Sequence, residues 1–175
     1  MFLEPYQIDA LFKNASGSPW VGQVHCLERY RECVPFIASD RKYIMQFITP
    51  YFFQGNEFYQ DMLFPSTDGG YFIPKASHRL TDISTVNDDG SLSILEPLSE
   101  TELRSFATAL RSACIKFVEE YPHINQFFSR FVNDKIAEFY NRIVIGDFRE
   151  YADRFTVEVF ENIARPNYGF QIHKN

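Results

Sequence analysis

Apolar side chains recur every three or four positions between residues 99 and 121, which is the strongest periodic pattern in the chain. They are Leu103, Phe106, Ala107, Leu110, Ala113, Cys114, Phe117, Val118 and Tyr121. This spacing gathers them on one face of an α-helix. Ser99 and Glu102 have the spacing of a capping box at the start of the helix, and Pro122 stands after its end. The pattern predicts a helix over residues 99–121.

A second stretch, residues 123–145, keeps a similar period. Its apolar positions are Ile124, Phe127, Phe128, Phe131, Val132, Ile136, Phe139, Tyr140 and Ile143. Asn133 and Asp134 are residue types that cap helices, so a new helix can begin inside the stretch. We therefore predict a second long helical region that ends at Gly146.

Strands are predicted where side chains alternate with a period of two or form short apolar runs. These segments are residues 20–26, 43–48, 71–73, 80–86, 91–95, 155–160 and 168–173. Asn87-Asp-Asp-Gly90 has the composition of a hairpin turn between two of them. The last two segments are expected to pair antiparallel.

Together these elements predict an α+β fold. A mainly antiparallel sheet of about five to seven strands would pack against two long helical segments, at about 99–121 and 123–145. A short helix over residues 5–13 would precede the sheet. The length of 175 residues is typical of one domain, so residues 1–175 are expected to form a single domain.

Composition indicates a globular chain, because 45% of its residues are hydrophobic and 19 are Phe. The first residues include Glu4, Pro5 and Asp9, where a signal peptide needs an apolar run. No stretch reaches the roughly 18 consecutive apolar residues of a membrane span. We therefore expect a soluble cytoplasmic protein without a membrane partner.

The formal net charge is −6 and is spread evenly along the chain. Affinity for a phosphate backbone comes mainly from clustered Lys and Arg, which release counterions on binding. The sequence shows no such cluster. A nucleic-acid partner is therefore not expected.

The cysteines and histidines do not show the spacing of a metal site, a disulfide framework or a catalytic pair. His25 and Cys26 are adjacent, but neighbours on a strand point to opposite faces, which argues against a nucleophile–base pair. Cys26 is expected to face inward with Trp20 and Val24, and Cys114 to lie on the apolar helix face. No metal or cofactor is predicted.

The least usual feature is the stretch from Tyr43 to Pro74, which holds ten aromatic residues, three acids and no Lys or Arg. Aromatic residues are enriched and Lys is depleted at the centres of protein interfaces. Acidic residues around such a patch speed association with a basic partner. The candidate partner-binding residues are Tyr51, Phe52, Phe53, Glu57, Phe58, Tyr59 and Asp61. The alternative is that these aromatics form core beneath a long loop.

The leading hypothesis is a non-catalytic protein-binding domain that recognises another protein, as inhibitors, antitoxins and immunity proteins do. The first alternative is a small enzyme, such as an acyltransferase or hydrolase, with a site near the 51–70 loop. Its acid–base groups would include Asp61 and His78. The second alternative is a subunit of a larger complex. The sequence leaves the oligomeric state open.

Overall fold

The computed structural model describes residues 3–28, 31–49, 77–130, 134–140, 148–159 and 167–175. Nine strands and one long α-helix, of 21 residues, lie in these ranges. In chain order the elements are α1 (Pro5–Leu11), β1 (Trp20–Val21), β2 (His25–Glu28), β3 (Arg31–Ala38), β4 (Arg41–Ile48), β5 (His78–Val86), β6 (Leu92–Ile94), α2 (Glu100–Glu120), β7 (Gln126–Arg130), α3 (Asp134–Phe139), a 3-10 turn (Arg149–Tyr151), β8 (Phe155–Val159) and β9 (Asn167–Lys174).

The chain separates into two compact units that interleave along the sequence. The first unit comprises Met1–Phe47 and Asp82–Glu120, and the second comprises Ile48–Thr81 and Tyr121–Asn175. In the first unit β3 lies between β1 and β4 and also pairs with β2, while β6 pairs with β5. The boundary between the units falls inside β5, after Thr81. In the second unit the strand order is β5-β7-β9-β8. The expectation of a single domain remains a prediction.

In the first unit, helices cover both faces of β3 and β4. Side chains at alternate positions pack toward α2, where Phe36 stacks on Tyr43 at 5.2 Å between ring centroids. Phe106 of α2 completes this cluster at 5.7 Å from Phe36 and 5.1 Å from Tyr43. The opposite face places Cys33 and Ile44 in a cluster with three α1-region residues, Ile8, Leu11 and Phe12. Because both faces are covered, β3 and β4 are buried along most of their length.

Lys116 of α2 binds the chain at the end of β1. Its Nζ donates to the carbonyl oxygens of Val21 at 2.7 Å and Gly22 at 3.1 Å. Lys116→Met keeps a long apolar stem but leaves both carbonyls without this charged donor. We expect the free energy of unfolding to fall by about 1–3 kcal/mol, measured by urea denaturation. A loss no larger than that of exposed Arg104→Met would contradict a role for these hydrogen bonds.

In the second unit, β7 lies between a parallel and an antiparallel neighbour. Its parallel register with β5 pairs Arg79 with Phe127, and its antiparallel register with β9 pairs Phe127 with Phe170. The rings of Phe127 and Phe170 lie 5.3 Å apart. The hydroxyl groups of Thr81 and Ser129 share a short hydrogen bond across the β5–β7 pair. Phe127, Phe128, Phe155, Phe170 and Ile172 are buried in this unit.

The prediction of two long helical segments against a sheet is wrong. Within the predicted 123–145 region, residues 126–130 form strand β7, and the helix in the described part of this region is α3, of six residues. Adjacent side chains on a strand point to opposite faces, and Phe127 and Phe128 are both buried, so both faces of β7 are covered. An apolar run of this kind cannot be told from a helix by its period alone. Pairing with β5 and β9 makes residues 126–130 a strand and not part of a helix.

Three other predicted elements are confirmed, while the predicted strand at 71–73 lies outside the described residues and β1 and β2 stand in place of the one predicted at 20–26. The long helix occupies Glu100–Glu120, and the Ser99 hydroxyl accepts the backbone N–H of Glu102 at 3.3 Å. The predicted hairpin forms from β5 and β6, and the terminal antiparallel pair forms from β8 and β9. Among the described helices, none is long and apolar enough to cross a membrane.

Candidate functional site

The seven predicted partner-binding residues lie outside the described part of the chain. They are Tyr51, Phe52, Phe53, Glu57, Phe58, Tyr59 and Asp61. Tyr43, Met45 and Phe47, at the start of the same base-free stretch, lie in the core of the first unit. Phe47 stacks face to face on Phe117 of α2, with the ring centroids 3.8 Å apart. These three side chains therefore serve packing.

The turn of the β5–β6 hairpin is built by its own polar side chains. Gly90 has a left-handed backbone, with φ +82°, and donates its N–H to the Asn87 carbonyl at 2.9 Å. A carboxylate oxygen of Asp89 accepts from the Ser91 backbone N–H at 2.9 Å and from its hydroxyl at 2.5 Å. These hydrogen bonds lower the pKa of Asp89 from its usual value. The hydrogen bonds thus fix the turn at the end of the hairpin and favour the ionised form of the Asp89 carboxyl group.

Strand β6 carries the candidate recognition residue. Its register with β5 pairs Val86 with Leu92 and Ser84 with Ile94, so these four side chains lie on one face. Val86 and Leu92 pack against the α1 core cluster. Ile94, one pleat further along the same face, is 74% exposed. Ile94 is therefore not part of the core cluster that Val86 and Leu92 contact.

An apolar groove of about 690 Å³ runs beside Ile94. We call it the β6 groove. Its lining residues are Asp82, Ile83, Ser84, Leu92, Ser93, Ile94, Leu95, Glu96 and Pro97. Both ionisable residues in this lining, Asp82 and Glu96, are acidic. The groove therefore combines apolar side chains with two carboxyl groups at its border, of which Asp82 has a pKa raised by burial, an effect that nearby Arg31 opposes.

A second, polar cleft of about 480 Å³ shares Ser93 and Glu96 with the β6 groove. Its ionisable lining residues are Asp9, Asp40, Arg41, Lys42, Asp88 and Glu96. The Arg41 guanidinium lies 3.7 Å from the Glu102 carboxylate. The Lys42 ammonium sits over the Phe12 ring, 5.3 Å from its centroid. Carboxylates outnumber cations in this cleft, and both cations already have partners.

The sequence signal for this surface is a second base-free stretch, residues 80–103. Its acids are Asp82, Asp88, Asp89, Glu96, Glu100 and Glu102. From the sequence, Asp88 and Asp89 were expected in the hairpin turn and Glu102 in the helix cap. The structure places Asp82 and Glu96 on the β6 groove and Asp88 on the polar cleft. Charge along the sequence could have indicated the surface, but the exposure of Ile94 could not be read from it.

Cys114 is buried on α2 as predicted, whereas Cys26 does not take its expected environment. Cys26 is exposed, so the prediction that it faces inward is wrong. Cross-strand pairing places His25 opposite Cys33 and Cys26 opposite Glu32, which is only 7% exposed. The charged residues from Glu28 to Glu32 are typical of an exposed segment, but Glu32 is buried on β3. Burial raises the pKa of the Cys33 and Cys114 thiols to about 12. Neither thiol is a ready nucleophile at neutral pH.

The groups proposed for acid–base catalysis do not form a described site. His78 is 2% exposed, and its ring meets Phe128 edge-on at 5.3 Å between centroids. Asp61 lies outside the described residues. Within the described ranges there is no group of three or more His, Cys, Asp or Glu side chains arranged to hold a metal ion. His78 is therefore packed as a core residue of the second unit.

No protein-family model, curated protein or solved structure matches the chain. The β6 groove and the polar cleft are therefore assessed from their geometry and charge. An exposed apolar residue on a short strand, with acids around it, can bind an apolar side chain and attract positive charge.

Proposed function

We propose that this chain is a non-catalytic protein-binding domain that recognises a basic partner protein through the β5–β6 hairpin. Inhibitor, antitoxin and immunity proteins are examples of this class of function. The seven residues of the predicted aromatic patch stay a separate prediction.

The exposure of Ile94 is the observation that carries the proposal. Scattered exposed apolar residues are common on proteins, but this one borders an apolar groove. Burying a large aliphatic side chain contributes about 1.5–3 kcal/mol. A partner side chain in the β6 groove would gain from this burial while shielding Ile94 from water.

Charge supports a basic partner. Asp82 and Glu96 border the groove, and Asp40 and Asp88 line the adjoining cleft. Acidic groups around an apolar centre accelerate encounter with a positive surface and disfavour an acidic one. The effect should weaken with added salt, because exposed charges are screened over a Debye length of about 8 Å at physiological ionic strength.

A displayed library of random peptides tests this function. Selection against the wild-type protein is expected to enrich peptides with more Lys and Arg than Asp and Glu. Ile94→Ser should weaken the selected peptides about tenfold, because loss of a central apolar contact costs about 1–2 kcal/mol. Fluorescence anisotropy with each synthesised peptide measures the change.

Val159→Ser is the matched control, since Val159 is an exposed apolar residue on β8 in the second unit. It should leave peptide affinity unchanged. Glu96→Lys should weaken binding, while Asp153→Lys makes the same change in net charge at another exposed acid and should have a smaller effect. Selection that yields no binder, or binders indifferent to Ile94→Ser, would refute the proposal.

A further inference from the structure

The hydrogen bonds of the hairpin show which backbone groups of β6 face away from β5. Asn87 donates its backbone N–H to the Ser91 carbonyl at 2.8 Å. Bonded and non-bonded pairs alternate along antiparallel strands, so Thr85 and Ser93 form the next bonded pair. The N–H and C=O groups of Leu92 and Ile94 therefore point to the outer edge of β6. In the described part of the chain, no strand pairs with that edge.

The two faces of β6 offer different surroundings to a strand laid along this edge. Leu92 and Ile94 project on the face that carries Val86 and Ser84, and both line the apolar β6 groove. Ser93 projects on the opposite face and lines both the β6 groove and the polar cleft, to which Asp88 also contributes. Successive side chains of an added strand alternate between the same two faces. Alternating apolar and basic residues would match both.

Charge distinguishes the occupants that could cover this edge. A second copy of the chain would bring its own net charge of −6. The base-free stretch of this chain from Tyr43 to Pro74 carries three acids. Either would place like charge against Asp82 and Glu96. A basic segment of another protein brings the opposite charge, so it is the occupant that the surface fits.

We infer that the partner contributes an extended segment of alternating basic and apolar residues, which pairs with the outer edge of β6 as an additional strand. This inference rests on the proposed function and adds the mode of binding. Main-chain hydrogen bonds to Leu92 and Ile94 give affinity, and the groove selects the alternate side chains. The short edge limits the number of these bonds, so each of them weighs heavily in the affinity.

The test uses a fluorescein-labelled peptide of alternating Lys and Val, titrated with the full chain and followed by fluorescence anisotropy. Two further peptides carry N-methyl groups on either all the Lys or all the Val residues. Only alternate residues of an added antiparallel strand direct their N–H groups to β6. One methylated peptide should therefore bind at least about tenfold more weakly, while the other keeps nearly the affinity of the parent. On binding of the parent peptide, the amides of Leu92 and Ile94 should exchange hydrogen more slowly.

Equal affinity of the two methylated peptides, or unchanged exchange at Leu92 and Ile94, would overturn strand addition. The proposed function would survive that result if library peptides still depend on Ile94. Failure of the Lys–Val peptide to bind, when library peptides bind, would likewise overturn only the alternating-strand inference. A dimer in sedimentation that Ile94→Ser abolishes would identify a second copy as the occupant and overturn the inference.

Discussion

Replacing Phe106 with alanine is expected to lower the free energy of unfolding by about 3–5 kcal/mol. The Phe106 ring is 1% exposed and packs edge-on against Tyr43 and at a tilt against Phe36. Truncation removes the apolar area that the ring buries and leaves a cavity between α2 and the β3–β4 pair. The close-packed surroundings can fill only part of that cavity. Urea denaturation followed by circular dichroism measures the loss.

Arg104→Ala is the control for Phe106→Ala, because Arg104 lies exposed on the same helix. Alanine is the best helix former, so this change should alter stability by less than about 0.5 kcal/mol. Phe106→Leu retains much of the buried volume and should fall between the two. A loss below about 1 kcal/mol in Phe106→Ala would show that the three-ring cluster does not hold α2 on the sheet.

The accuracy of the sequence predictions follows from how each element is buried. Helix α2 was predictable because one face is apolar, the other is polar, and Ser99 and Pro122 mark its ends. The sequence of β3 does not alternate between apolar and polar residues, because α1 and α2 cover its two faces. Pro35, which has no backbone N–H to donate, further hides the strand pattern. Strand β7 lies between β5 and β9, and its adjacent buried phenylalanines imitate a helical period. The spacing of apolar residues identifies an element when only one of its faces is buried. It does not identify an element whose two faces are both covered.

Part of the candidate site could be predicted from the sequence and part could not. The hairpin turn followed from Asn87 to Gly90, and the surrounding acids are evident in the sequence. Leu92 and Ile94 occupy equivalent alternate positions on β6, so the sequence gives them the same expected environment. Only the position of α1, which packs on Leu92 and not on Ile94, makes Leu92 partly buried and leaves Ile94 exposed. That difference arises from tertiary contacts between distant parts of the chain.

Replacing Gly90 with alanine is expected to lower the free energy of unfolding by about 2–4 kcal/mol. Two costs combine. The left-handed φ of +82° disfavours any side chain, and a Cβ at this position would lie 2.8 Å from the Pro5 Cβ and 3.2 Å from its Cα. Pro5 begins α1, so the helix or the hairpin turn must move to relieve the contact. Urea denaturation measures the change, and the linear-extrapolation slope shows whether the unfolded state is altered.

Gly17→Ala separates these two costs. Gly17 has a similar left-handed φ of +72°, but a Cβ there would meet no atom within 4 Å. Its replacement should cost about 1 kcal/mol, from backbone conformation alone. The excess in Gly90→Ala then measures the packing of the turn on Pro5, which fixes the hairpin that presents Ile94. Equal losses in the two variants would mean that α1 does not constrain the turn, and affinity for the selected peptides should then be unchanged in Gly90→Ala.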